Sequence, residues 1–146
     1  MIPSLLQQPC VTFRIAPSVH AEEEVARLLD YLFESFENKN IDAISTCFHH
    51  AALIETAYAS VPVGIQEYQR LLTYALPAVK EMRMRDVRIR VARGTSATVY
   101  GTLCVLAHGG PARESFAAFY IERAVETGVW RIISTRLLAR LGAHAR

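Results

Sequence analysis

Residues 38–55 read NKNIDAISTCFHHAALIE, and most of the fold follows from how this stretch divides. Asn38-Lys39-Asn40 is a turn run that stops a preceding helix, and Asn40 is a side chain suited to cap the next one. Ile41, Ile44, Cys47 and Phe48 then fall on one side of a short second helix. AALIETAYA, residues 51–59, is short, β-tolerant and alternating, which predicts a strand. His49 and His50 fall in the turn between helix and strand. Adjacent residues there diverge in direction, and zinc-binding helix pairs want i, i+4 spacing, so the pair predicts no metal site. His50 stays a weak candidate for a proton acceptor at a pocket rim.

Towards the N-terminus, Val25, Leu28, Leu29, Leu32, Phe33 and Phe36 follow helical spacing without a miss. They predict an amphipathic helix over about 19–37, with Ser18 as its cap and Glu22, Glu23 and Glu24 in its early turns. Residues 1–18, broken by Pro3, Pro9 and Pro17, read as an arm, in which VTFRI has the makings of a short edge strand.

Towards the C-terminus, VPVG is a turn and IQEYQRLLTYALPAV a third helix, with Tyr68, Leu71, Leu72 and Ala75 on one face. Pro77 stops or kinks it. Four strand-like runs follow: MRDVRIRVAR, SATVYGTLCVLAH, RESFAAFYIER and VWRIISTRLLA. Gly94-Thr95, Gly109-Gly110-Pro111 and Glu126-Thr127-Gly128 separate them at hairpin lengths. Helices first and a meander after predict an α+β domain over 19–140, with a short tail at 141–146.

The totals bound the function classes. A chain of 146 residues is one ordinary domain and folds without a disulfide or metal. With 16 basic and 14 acidic residues, the net charge of +2 is too balanced to argue for nucleic acid. Arg83, Arg85, Arg88, Arg90 and Arg93 read as the basic outer face of a strand, without the interleaved exposed aromatics that single-stranded nucleic acid needs. No apolar run reaches a membrane-spanning length, and the first residues lack the pattern of a signal peptide. Three widely spaced cysteines predict neither a disulfide framework nor a zinc knuckle. The expected location is the cytoplasm.

The order of parts is what carries a resemblance. NKNIDAISTCFHHAALIE, VGIQEYQRLL (63–72) and TGVWRIISTRL (127–137) resemble the NTF2-like superfamily, in its SnoaL-like branch. The likeness covers roughly 20–140. It implies three N-terminal helices on a curved, mostly antiparallel sheet, a cone-shaped pocket, and a homodimer through the sheet. Fold alone does not give the reaction. The ketosteroid isomerases of this superfamily use a carboxylate on the first strand, a tyrosine in the first helix and a later aspartic acid. Gapless matching puts Thr56 at the first position and Glu55 one residue off, on the opposite face of the strand. The second position falls on Leu32, with Tyr31 one off, and the third falls in AAFYI, which has no acid. A one-residue bulge would bring Glu55 back. The Asp–Arg–Asp set of the epoxide-hydrolase branch lacks a match, because Asp86 is the only aspartate after Asp42.

On the last strand, Trp130, Ile132, Ser134 and Arg136 share one face. Tryptophan of the family's W-R-I packs inward, so Ser134 and Arg136 are expected to follow it, with Arg136 anchoring an acidic ligand or pairing with Glu55. Thr56 and Tyr58 would supply hydroxyls, and Tyr68 and Tyr74 aromatic walls. The expected function is binding of a small, largely apolar organic molecule, without cofactor or metal, and with proton transfer or hydration as the chemistry. The rival is a non-catalytic homo-oligomeric assembly module with a vestigial pocket, a reading that the doubly apolar strand FAAFYI also fits. Two convergent polar groups in the cavity would favour the first.

Overall fold

The computed structural model describes residues 17–57 and 59–141. The arm up to Ala16, with VTFRI, and the tail beyond Leu141 lie outside the described residues, as does Tyr58. The elements are α1 (Pro17–Glu37), α2 (Ile41–Thr46), β1 (Phe48–Ile54), α3 (Ile65–Ala75) with a 3-10 turn at Leu76–Ala78, β2 (Val79–Ala92), β3 (Ser96–Ala107), β4 (Ala112–Arg123) and β5 (Trp130–Leu141). The architecture is α+β with one mixed five-stranded sheet in the order β1-β5-β4-β3-β2. β1 runs parallel to β5, and the other pairs are antiparallel.

Three N-terminal helices are not what the chain forms. Among the described residues there are three α-helices, but α2 has only six residues and α3 follows β1. The reason is topological: β1 must run out along β5 before the VPVG turn, where Val63 bridges back to Ile54, returns the chain to the sheet as α3. Ser18, expected before the helix, is the second residue of α1. Asn40 does cap α2, its Oδ1 accepting from Ala43 N at 3.0 Å.

α1 buries Ala21, Val25, Leu29, Leu32 and Phe36 against the sheet, each large side chain contributing about 1.5–3 kcal/mol. Phe33 meets Phe119 of β4 edge to face at 6.3 Å. Trp130 at the start of β5 is buried, and its Nε1 donates to Glu24 Oε1 at 2.7 Å, tying β5 to α1. Pro77 stops α3, as its lack of an N–H requires, and sits in the 3-10 turn.

Of the five register shifts in the sheet, three bear on the residues of interest. In β2, Arg85 pairs with Thr102 and Arg88 with Tyr100, so Asp86 and Val87 together oppose Gly101. Asp86 sits at φ 56° in this bulge, a conformation aspartate tolerates. The bulge presses on Gly101, where a Cβ would stand 2.9 Å from Met84 Cε and 3.0 Å from Arg85 O. In β5, Ile132 pairs with Ile121 and Ser134 with Tyr120, leaving Ile133 as the extra residue. In β1, pairing passes from Phe48↔Ile132 to Leu53↔Ser134, so the strand bulges over His49–Ala52.

Candidate functional site

Inward-facing residues enclose a cavity of about 600 Å³, within the range of small-molecule sites. α3 supplies one wall with Tyr68, Leu71, Leu72 and Ala75, the face its spacing predicts. Leu76, Ala78 and Val79 of the linker and Met82 of β2 continue it. The sheet wall is Leu103, Val105 and Ala107 of β3, Arg113 and Ser115 of β4, and Leu137 of β5. Phe36, Glu55, Thr56 and Ala57 complete the lining. A smaller pocket of about 60 Å³ shares Phe36, Glu55, Tyr68, Met82, Leu103 and Leu137 with it and reaches the buried Leu32, Phe48 and Phe119. Mostly aliphatic walls therefore carry a few polar groups: Glu55, Thr56, Tyr68, Arg113 and Ser115.

Glu55 is where the sequence geometry fails most usefully. Strand alternation was expected to turn it away from the Thr56 side, but β1 ends at Ile54 and the period stops with it. Both Glu55 and Thr56 line the cavity. The Glu55 backbone N–H donates to Thr135 O at 3.2 Å, and its carboxylate Oε1 accepts from Leu137 N at 2.9 Å. The side chain thus continues the ladder to β5 one step past the end of β1. Its Oε2 lies 3.9 Å from Arg136 Nε.

The inward path expected for Ser134 and Arg136 is overturned by the Ile133 bulge. Trp130 and Ile132 point into the core, but past the extra residue Thr135 and Leu137 take the inner face. Ser134 and Arg136 pair with Tyr120 and Ala118 on the outer face, and the Arg136 side chain is 58% exposed. Arg136 touches only the small inner pocket, beside Glu55. Trp130 lines neither pocket. Tyr74 is 80% exposed and forms no wall, whereas Tyr68 lines the cavity and packs edge to face on Phe48 at 5.6 Å.

His49 and His50 belong to β1 and not to a turn. Their rings do not diverge: the centroids are 4.1 Å apart, and His49 Nδ1 accepts from Ala51 N at 3.0 Å within the bulge. His50 is exposed in a shallow depression with Glu67 and Arg70 near the start of α3, and it does not rim the cavity. Among the described residues no three His, Cys, Asp or Glu side chains converge.

Arg113 and Ser115 were missed. The signal was present, since inward Phe119 and Ile121 imply inward Ala117, Ser115 and Arg113 by period two. Without a fixed inner face for a strand apolar on both sides, that parity had no anchor.

On the opposite face of the sheet Arg85 binds Glu114 at 2.6 Å and Asp86 at 3.1 Å, and Arg83 pairs with Glu81. The hydrogen bonds to Glu81 and Glu114 raise the Arg83 and Arg85 pKa values further above their ordinary range. Tyr100 and Phe116 stand 39% and 44% exposed there, on neighbouring strands, with the buried Ala118 opposite Tyr100. No helix among the described residues is long and apolar enough to cross a membrane.

No family model and no curated protein matches the chain. Solved structures do. A proposed dehydratase of the NTF2-like family from Streptomyces avermitilis aligns over 87% of this chain and all of its own, with a TM-score of 0.71 at 19% identity. A proposed calcium/calmodulin-dependent protein kinase II association domain from Xanthomonas campestris aligns over 80% of this chain and 85% of its own, at 0.70 and 16%. For a proposed scytalone dehydratase from Novosphingobium aromaticivorans the shares are 89% and 92%, at 0.68 and 11%. The chain has the NTF2-like fold.

Proposed function

We propose that residues 19–140 form a SnoaL-like domain that binds a small, largely apolar organic molecule in a cone-shaped pocket. One observation carries this reading. An aliphatic cavity of about 600 Å³ has a carboxylate, that of Glu55, fixed in its wall by a backbone hydrogen bond. A site built on mostly apolar surface with a few placed polar groups is what small-ligand recognition requires. Glu55 is the proton acceptor if the domain is catalytic, with Thr56 and Tyr68 beside it. Proton transfer or water addition is the chemistry that such a set serves. Native mass spectrometry tests the proposal, before and after denaturation. A small molecule released on denaturation, and lost when Ala75→Trp fills the cavity, supports it. An empty protein that also takes up none of a panel of apolar acids, ketones and alcohols overturns it.

The outer sheet face supports pairing of two copies. Tyr100 and Phe116 place exposed aromatic surface on a sheet face flanked by charged groups of both signs, a composition common at interfaces. Phe116→Glu should convert a dimer to a monomer in light scattering. If the cavity proves empty while the dimer persists, the assembly module becomes the better reading.

A further inference from the structure

The cavity carries opposite charges on separate parts of its wall. Arg113 sits near the start of β4, paired with Val105. Alternation puts it on the face of Ser115, Ala117, Phe119 and Ile121, and it lines the cavity beside Ala107 and Pro111 of the β3–β4 hairpin. Arg113 is the one arginine among the described residues that lines this cavity, and like Arg27, Arg88, Arg90, Arg93, Arg123 and Arg131 it has no carboxylate partner among them. Glu55 is anchored on Leu137, which pairs with Ala117. Arg113 stands four positions before Ala117 on β4, which places the two anchor points ~13 Å apart along the strand. That exceeds the screening length of ~8–10 Å near physiological salt, so neither charge satisfies the other. Between them on the cavity wall lies the apolar Leu103, paired with Ser115.

We infer that the ligand is an apolar carboxylic acid, held head-out with its carboxylate on Arg113 and its tail running towards Glu55. The inference rests on the pocket reading above. A guanidinium matches a carboxylate with two parallel hydrogen bonds, which a neutral head cannot reproduce. The Ser115 hydroxyl, next inward on the same face, adds a donor. Glu55 repels an acid head at the inner end, so only one orientation is favourable. The apolar body gains by leaving water along the aliphatic walls.

Calorimetry with decanoate and decan-1-ol, below their aggregation concentrations, tests this on the wild type, Arg113→Ala and Arg113→Lys. The expected result is tighter binding of decanoate than of decanol, about a tenfold loss of decanoate affinity in R113A, and a smaller loss in R113K. Decanol binding stays unchanged in R113A, which also shows that the exposed substitution leaves the pocket folded. Equal losses for both probes, or no loss for either, overturn the assignment of Arg113 while leaving the pocket reading intact. Binding of neither probe to the wild type overturns the pocket reading, and this inference with it.

Discussion

Removing the Glu55 side chain should cost stability as well as function, and the structure gives the size. The Leu137 N–H donates to Glu55 Oε1 at 2.9 Å in a half-buried setting. Glu55→Ala deletes that acceptor at a point where β1 has already ended and the Glu55 carbonyl accepts instead from the Thr135 hydroxyl at 3.3 Å. An amide left without its partner there costs about 1–3 kcal/mol. The backbone contacts of residue 55 with Thr135 do not need the side chain and should persist. Glu55→Gln keeps an oxygen acceptor and loses only the 3.9 Å contact with Arg136, which for such exposed groups is worth ~0–1 kcal/mol. Urea denaturation at pH 7 should therefore rank wild type and E55Q together and E55A clearly lower. Hydrogen exchange should show the Leu137 amide losing protection in E55A alone. If E55A is as stable as wild type, or E55Q falls as far as E55A, the carboxylate does not serve as the extra rung of the ladder and the geometry argued for the site is wrong.

Burial pushes the Cys47 thiol from its ordinary 9.0 up to about 11. A raised folded pKa means that stability is full below pH 9 and is lost as pH rises towards 11, by roughly 2–3 kcal/mol. Cys47→Ser should lack that part of the decline when denaturation is compared at pH 8 and pH 11. Gly101→Ala forces a Cβ against Met84 and the Arg85 carbonyl, and should destabilise by about 1–3 kcal/mol in thermal or urea unfolding. Glu24→Ala leaves the Trp130 indole N–H unpartnered. It should cost about 1–3 kcal/mol and shift the tryptophan fluorescence, whereas Glu24→Gln should restore most of both.

Local rules made much of the fold legible. The α1 stripe, the Asn40 cap, the lining face of α3 and the hairpin turns each depend on residues close in the chain. What the sequence hid depends on pairing across the sheet. The extra Ile133 reverses the parity of β5, so Arg136, the leading anchor by alternation, faces outward. The end of β1 at Ile54 frees Glu55 from the face that alternation assigns it. Arg113 was readable once Phe119 was known to point inward, but only packing against Phe33 on α1 fixes that. A strand such as FAAFYI, apolar on both sides, does not declare its inner face.

β2 bears on how the molecule avoids its own copies. Among the described residues it is a fourteen-residue strand at the rim of the sheet, and an unpaired rim of that length is a template on which another chain can add a strand. This one is broken midway by the Asp86 kink and carries Lys80, Arg83, Arg85, Arg88 and Arg90 along its length. A second β2 laid alongside would have to bring its own Lys80, Arg88 and Arg90, which have no carboxylate partner among the described residues, against these and match a kinked backbone. Among the described residues, the kink at Asp86 and the charges along β2 therefore both disfavour the addition of another copy of this strand at that rim.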